Sequence, residues 1–180
     1  MLDIPMTEST SLKFWHFSLA YYQHSNSSEI LLSLQNTHGL DINLILFALW
    51  TGRVEGTALL KEDFQALDSS IANWRQNIIQ PIRKLRQTAK AQANLFSDFS
   101  ENFLSMTSDT ELESERICQV ILCQKYLNLT NLSKNSKEKG LAILNLGNYF
   151  SLRALPNSSN LIKIKHKLVN FAEEILTQSP

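Results

Sequence analysis

Residues 38–50 decide the fold and read His38-Gly39-Leu40-Asp41-Ile42-Asn43-Leu44-Ile45-Leu46-Phe47-Ala48-Leu49-Trp50. Gly39 can adopt the left-handed backbone conformation that closes a helix, and Leu40 can fold back as the apolar contact of that cap. Asp41 suits the start of the next helix, because its carboxylate accepts hydrogen bonds from free backbone N–H groups and meets the positive end of the helix dipole. The stretch therefore predicts a tight corner between two helices.

The helix that follows the corner, from Asp41 to about Arg53, is apolar on nearly all sides. A helix without a polar face is normally central and has other elements packed around it. Gly52 and Gly56 are then expected to release the chain into a loop. The sequence therefore predicts a buried central third helix.

The segments on either side of this helix also show helical spacing of apolar residues, while the alternation typical of strands is scarce. A first helix is expected at 11–24 and a second at 28–38. The apolar stripe over 60–90 stays in register across Pro81, which predicts one kinked helix or two nearly collinear helices.

The second half of the chain is expected to be helical as well. Residues 92–106 lack convincing caps and are expected to form an irregular or short-helix connection. Ser108 and Glu111 match a capping box, which predicts a helix that starts there and continues to about residue 127. The last two helices are expected at 136–152 and 158–177.

Together these segments predict an all-α fold, a single-domain bundle of about six to eight helices over residues 1–180. Residues 1–10 are expected to be a disordered N-terminus, and 128–137 a polar linker before the two C-terminal helices.

The composition excludes several classes of protein. Among 180 residues, 17 Lys and Arg balance 17 Asp and Glu, which disfavours nucleic acid as a partner. The two cysteines cannot form a disulfide framework. The first ten residues carry acidic side chains and no basic one, and no apolar run approaches the ~20 residues of a membrane span. We therefore expect a cytoplasmic protein that does not bind membranes.

Signatures of catalysis and cofactor binding do not occur in the chain. Its four histidines and two cysteines fit no metal-ligand spacing, so no metal is expected. The five glycines form neither a phosphate-binding loop nor a nucleophile elbow, so no cofactor and no catalytic residue are assigned.

Three groups of polar residues stand out: the corner residues Gln35, His38 and Asn43, the basic row Arg83, Arg86 and Lys90, and the acidic pair Glu111 and Glu115. Glu111 and Glu115 lie four residues apart, where like charges repel on a helix unless a cation lies opposite. Arg83 or Arg86 could supply that cation. Two interpretations stay open. The corner and the arginines could form a small polar site for an anion. Alternatively, the Arg–Glu cluster could have a structural role and hold the helices in register.

The first predicted helix is rich in aromatic residues. Leu12, Trp15, Leu19 and Tyr22 form a stripe at helical spacing, which Phe14, Phe17 and Tyr21 widen. Core packing is the more frequent use of such a stripe, and the lining of a ligand pocket is the alternative.

These segments resemble a family of proteobacterial proteins known only as a domain of unknown function. The resemblance lies in Phe14-Trp15-His16-Phe17-Ser18-Leu19 with Tyr22, in Leu34-Gln35 and His38-Gly39-Leu40-Asp41, in Trp74-Arg75 and Pro81 with Arg83, Leu85 and Arg86, and in Glu111-Leu112 with Glu115. It covers about residues 12–127 in order. It implies a small helical protein of the bacterial cytoplasm, and it implies no activity.

From these observations, the leading prediction is a non-enzymatic interaction or adaptor protein with an unidentified protein partner. Self-association into a homo-oligomer stays open. The alternative is a binder of a small anionic ligand, or an enzyme acting on one, in which Arg83 and Arg86 hold the anion and His38 is the titrating group.

Overall fold

The computed structural model describes residues 4–24, 26–92, 97–130, 132–134 and 139–178. The elements are α1 (Ile4–Gln23), α2 (Ser27–His38), α3 (Ile42–Arg53), β1 (Thr57–Ala58), α4 (Lys61–Trp74), a π turn (Arg75–Ile79), α5 (Gln80–Gln92), α6 (Ser97–Leu127), β2 (Ser133–Lys134), α7 (Lys139–Leu152) and α8 (Ser159–Gln178). Because α4, the π turn and α5 are continuous, the described residues form seven separate helices. The prediction of an all-α bundle is confirmed.

Helix α3 is the centre of the bundle, as its apolar sequence predicts. Every residue from 43 to 52 is buried. Helix α7 packs along α3, and α1, α2, α4, α6 and α8 also contact it. The core around α3 includes a connected cluster of four aromatic rings: those of Phe14, Phe47, Trp50 and Tyr126.

The corner between α2 and α3 has the predicted geometry. Gly39 has φ 63° and ψ 25°, and its N–H donates to the carbonyl of Gln35. Leu40 is buried beside it. The Asp41 carboxylate accepts a hydrogen bond of 2.8 Å from the Asn43 N–H at the start of α3. Capping and burial together therefore set the direction in which α3 enters the core.

We expect Gly39→Ala to lower the free energy of unfolding by about 1 kcal/mol, because alanine is strained at this positive φ. A Cβ at this position has no neighbour within 4 Å, so steric crowding adds nothing. Urea unfolding measures the effect. Gly39→Asn should cost less, since asparagine tolerates the left-handed region better. Equal stability of Gly39→Ala and the wild type would refute the cap.

The close packing of α3 on α7 depends on Gly52. This residue lies inside α3 and does not open a loop, contrary to the sequence-based prediction. A Cβ at Gly52 would lie 2.5 Å from the backbone nitrogen and 2.6 Å from the Cα of Ala142. The glycine lets the two helix backbones approach, so tertiary contact accounts for its presence in a helix, where glycine is otherwise unfavourable.

Gly52→Ala is therefore expected to lower the free energy of unfolding by about 3 kcal/mol, because the two backbones must separate. Gly140→Ala is the matched control, since Gly140 lies in α7 and a Cβ there meets nothing within 4 Å. The control should unfold at the same or a higher urea concentration than the wild type. If both variants behave alike, the close backbone contact is contradicted.

The N-terminal helix is longer than the sequence indicates. It begins at Ile4, so residues 4–10 are helical rather than disordered, while residues 1–3 lie outside the described residues. Pro5 falls in the first turn, where its missing N–H costs nothing because first-turn N–H groups have no partner inside the helix.

Helix α6 also starts earlier than predicted. It begins at Ser97, so the capping box assigned to Ser108 and Glu111 is wrong, and both residues lie inside the helix. The Glu111 side chain instead pairs with α5. Capping boxes are short patterns, so they also occur by chance inside helices.

The polar linker predicted at 128–137 falls in the connection between α6 and α7, and its residues 131 and 135–137 lie outside the described residues. Within it, β2 pairs antiparallel with β1, a two-residue contact that the sequence analysis did not predict.

The segment around Pro81 is continuous, as predicted. The π turn Arg75–Ile79 lies directly before it, and the Gln80 N–H donates to the carbonyl of Arg75, five residues earlier. Proline removes one backbone donor and crowds the preceding turn, and a wider turn is one way to accommodate it. The π turn sets the direction of α5, which packs on α6.

Candidate functional site

Helix α1 has two faces with different neighbours. Phe14, Phe17 and Tyr21 are buried in the core. Trp15 and Tyr22 lie on the adjacent face and are only partly covered. The stripe predicted from spacing is thus not the buried one. Core packing is confirmed for Phe14, Phe17 and Tyr21, and a ligand pocket lined by the other face stays a prediction.

The second face of α1 forms one wall of a cleft of about 820 Å³. The α2–α3 corner, the π turn, α5 and α6 form the others. The apolar lining includes Trp15, Leu19, Tyr22, Leu32, Leu46, Ile79 and Leu112. The polar and charged lining includes Ser18, Gln35, Asp41, Asn43, Arg75, Arg83, Arg86, Glu111, Glu115, Gln119 and Arg153. This volume is in the range of small-molecule sites in proteins.

An ion-pair network connects α5 to α6 along this cleft. Glu111 accepts hydrogen bonds from the Nε atoms of Arg83 at 3.0 Å and Arg86 at 2.5 Å. The Nη2 atom of Arg83 also donates to Glu115 at 2.9 Å. Helix α5 has no fully buried residue, so these charged contacts are a main part of its attachment.

A chain of amides continues the network into the bundle. The Asn43 side-chain N–H₂ donates to Oε2 of Glu115, and Asn43 Oδ1 accepts from Gln119 at 3.0 Å. The Ser18 hydroxyl lies 3.2 Å from Gln119 Oε1. Residues from α1, α3, α5 and α6 therefore share one hydrogen-bonded network.

A second ion-pair group lies at the corner end of the cleft. Arg75 donates to Asp41 at 3.0 Å and to Asp68 at 2.7 Å, and Arg153 lies 3.6 Å from Asp68. The Asp41 backbone N–H donates to the hydroxyl of Tyr149 at 2.8 Å. Asp41 thus caps α3 and also binds the π turn and α7.

The structure brings together most of the residues that the sequence singled out. Asn43, Arg83, Arg86, Glu111 and Glu115 belong to the network, and Gln35 lines the same cleft. Their role in function stays a prediction.

His38 is placed differently from the expectation. It is half-buried at the end of α2 and is not among the residues that line the cleft. Among the described residues it shares no hydrogen bond or ion pair with Arg83 or Arg86, and a role for it in this site stays a prediction. The side chain of a residue directly before a capping glycine can point away from a cleft that its neighbours line.

The sequence pattern did not indicate Gln119, Ser18 or the pairing of Asp41 with Arg75 as parts of the site. Gln119 follows Glu111 and Glu115 at steps of four, so helical spacing could have placed it on the same face. The Asp41–Arg75 pair joins residues 34 positions apart. No local pattern indicates such a contact.

The two glutamates of the network differ in pKa. Burial acts to raise the pKa of Glu111, but hydrogen bonds from Arg86 and Arg83 outweigh it and the pKa is lowered. Burial also raises the pKa of Glu115, and the charges of Asp41 and Glu111 add to this effect. The Asn43 hydrogen bond and the Arg83 charge oppose it only in part, so the pKa of Glu115 is about 7.

Two groups on the cleft wall keep unused hydrogen-bonding capacity. Arg86 uses Nε for Glu111, and its two Nη groups have no hydrogen-bond partner among the described residues. The Tyr22 hydroxyl has none either within that part of the chain. Burial raises the pKa of Tyr22, and the charges of Arg83, Glu115, Glu111 and Arg86 act on it as well.

Candidate metal ligands and thiols are the other potentially reactive groups in the part of the chain that the structure describes. No group of three or more His, Cys, Asp or Glu residues there could hold a metal ion. The thiols of Cys118 and Cys123 are free and buried, and burial raises the pKa of both.

A helix that crosses a bilayer must be both long and apolar. Among the described residues, no helix is both long enough and apolar enough to cross a bilayer.

Comparison with known families identifies the chain. A family model described as a protein of unknown function, DUF2390, matches residues 13–122. The chain belongs to the DUF2390 family. The expected membership in a family known only as a domain of unknown function is thereby confirmed. No curated protein and no solved structure matches the chain. The DUF2390 match contains the whole network from Ser18 to Gln119, while Arg153 and helices α7 and α8 lie beyond it.

The raised pKa of Glu115 predicts a pH-dependent stability. A carboxyl group whose pKa rises from its ordinary value of 4.5 to about 7 on folding binds its proton more tightly in the folded protein. The stabilising contribution of this carboxyl group to the free energy of unfolding is therefore present below pH 4.5 and is lost as the pH rises to 7. Relative to Glu115→Gln, the wild type should lose about 3 kcal/mol of unfolding free energy between about pH 4.5 and 8.

Urea unfolding of both proteins across this pH range measures the difference. Glu113→Gln is the matched control, because Glu113 lies on the same helix but is exposed and pairs only with Arg116 among the described residues. The difference in unfolding free energy between this control and the wild type should stay constant from about pH 6 to 8. A constant difference for Glu115→Gln as well would contradict the raised pKa.

Proposed function

We propose that the protein binds a small organic anion with an aromatic or other planar apolar part in the cleft between α1, the α2–α3 corner, α5 and α6. The observation that carries this proposal is the unused guanidinium edge of Arg86, which lines a cleft that Trp15 and Tyr22 also line.

The charges of the cleft favour an anion. Its lining contains four arginines and three carboxylates: Arg75, Arg83, Arg86 and Arg153 against Asp41, Glu111 and Glu115. The two Nη groups of Arg86 form a fork that matches the two oxygens of a carboxylate or phosphate. Tyr22 lines the same cleft, and its hydroxyl can donate a further hydrogen bond.

The apolar lining favours a ligand with a ring. Trp15 and Leu19 are half-buried, and Tyr22 and Leu112 keep 42% and 50% of their surface exposed beside the charged groups. A planar apolar group can cover these side chains and remove apolar surface from water. Sites for small molecules usually combine such an apolar wall with a few fixed polar groups.

The ion pairs pre-organise the arginine side chains for ligand binding. Glu111 holds both Arg83 and Arg86 by their Nε atoms, so fewer rotamers are lost on binding. The same carboxylate partly neutralises the arginines, so we expect modest affinity and a strong dependence on the shape of the ligand.

A role in protein interaction, the leading expectation from the sequence, is our second proposal. It is supported by large apolar side chains outside the cleft lining: Leu85, Phe103 and Met106 are 51%, 47% and 60% exposed. We further propose a cytoplasmic location. The two free thiols support it, because free cysteines persist in a reducing compartment.

Binding is tested with 2-naphthoate, 2-naphthalenesulfonate and naphthyl phosphate, with uncharged 2-naphthamide as the control ligand. Thermal shift and calorimetry of the full chain should detect the anions and not the amide. A ligand at about 100 times its Kd adds about 2.7 kcal/mol to the stability.

Arg86→Ala should abolish or strongly weaken the response. Lys84→Ala is the matched control, because Lys84 is a cation on the same helix that does not line the cleft. It should bind like the wild type. Failure of all three anions, or equal binding by Arg86→Ala, would overturn the proposal.

A further inference from the structure

Glu115 occupies donors that a bound anion would need. Its Oε1 atom accepts from Arg83 Nη2 at 2.9 Å, and its Oε2 atom accepts from Asn43. Both donors and the carboxylate line the cleft. In the ligand-free protein, Glu115 therefore fills the place of an anion beside Arg83.

We propose that binding an organic anion beside Arg83 and Arg86 transfers one proton from solvent to Glu115 and passes the Arg83 Nη2 hydrogen bond from Glu115 to the ligand. This inference rests on the proposed function and adds to it a coupling between ligand and proton. No bond other than that to the proton is made or broken.

The charges around Glu115 explain why an arriving anion would protonate it. Asp41 at the start of α3 and Glu111 one turn earlier on α6 already raise its proton affinity, while Arg83 of α5 lowers it. A further negative charge that engages Arg83 removes one of the two groups, Asn43 and Arg83, that stabilise the ionised carboxylate. Protonation then relieves the repulsion between neighbouring negative charges.

The other titratable and charged groups near Glu115 do not take over this role. Arg86 of α5 stays charged because its hydrogen bond to Glu111 raises its pKa. Burial acts to lower the pKa of Arg75 of the π turn, but Asp68 and Asp41 outweigh it, so Arg75 stays charged as well. Tyr22 of α1 and Cys118 of α6 stay neutral, since burial raises the pKa of both. The pKa of Glu115 is about 7, so its proton can be gained near neutral pH.

The amide chain selects the oxygen that receives the proton. Gln119 donates to Asn43 Oδ1, which turns the Asn43 N–H₂ toward Glu115 Oε2. That oxygen must stay an acceptor, so the proton is placed on Oε1. A protonated Oε1 and Arg83 Nη2 then both donate, and an oxygen of the ligand can accept from the two together.

The coupling is measured by calorimetric titration of the full chain with 2-naphthoate, which is fully ionised from about pH 6 to 9. Titrations in buffers with different ionisation enthalpies count the protons. At about pH 8 the wild type should take up about one proton per ligand, and its Kd should rise by up to about tenfold per pH unit above about pH 7. Glu115→Gln should take up none, and its Kd should change less than about twofold.

Glu113→Gln is the matched control, because Glu113 lies on the same helix, does not line the cleft and pairs only with Arg116 among the described residues, and proton uptake should persist in it. Binding by the wild type without proton uptake, or equal uptake by Glu115→Gln, would overturn this inference and leave the proposed function intact. Absence of binding at about pH 6, where Glu115 is largely protonated, would overturn the proposed function for this ligand class and the coupling with it.

Discussion

The burial of α3 on all sides is the constraint on which the rest of the structure depends. An apolar helix of this kind is stable only when other elements cover its whole surface. The Gly39 corner and the Asp41 cap set where α3 begins, and Gly52 lets α7 approach its backbone closely. The bond from the Asp41 N–H to Tyr149 joins the same corner to α7. The remaining helices then fill the space around this pair.

Helix α5 is attached in the opposite way. It has no fully buried residue, and Arg83 and Arg86 hold it to the carboxylates of Glu111 and Glu115 on α6. Apolar residues of similar size at such positions are often equally stabilising, so a partly buried ion-pair network is weak evidence for stability alone. Here the network keeps a polar cleft between helices. The same contacts that position α5 thus also fix the groups available to a ligand.

The features of the fold that could be predicted from the sequence depend on interactions between residues close together in the chain. The corner, the continuous segment across Pro81 and the burial of α3 follow from capping chemistry and apolar spacing. Spacing failed in α1, because this helix is apolar on two faces and only packing shows that Phe14 is in the core while Trp15 lines a cleft. The capping box at Ser108 was wrong because a local pattern does not show whether a helix has already begun, and α6 begins at Ser97.

The sequence by itself determined the helical class, the position of the central helix and the need for a cation opposite Glu111 and Glu115. These follow from forces that act within a few residues: backbone preference, capping and repulsion one turn apart. Only the tertiary structure decided that Arg83 and Arg86 meet these carboxylates, that Asn43 joins them and that His38 does not. Such contacts depend on how helices cross, and the crossing results from packing summed over the whole core.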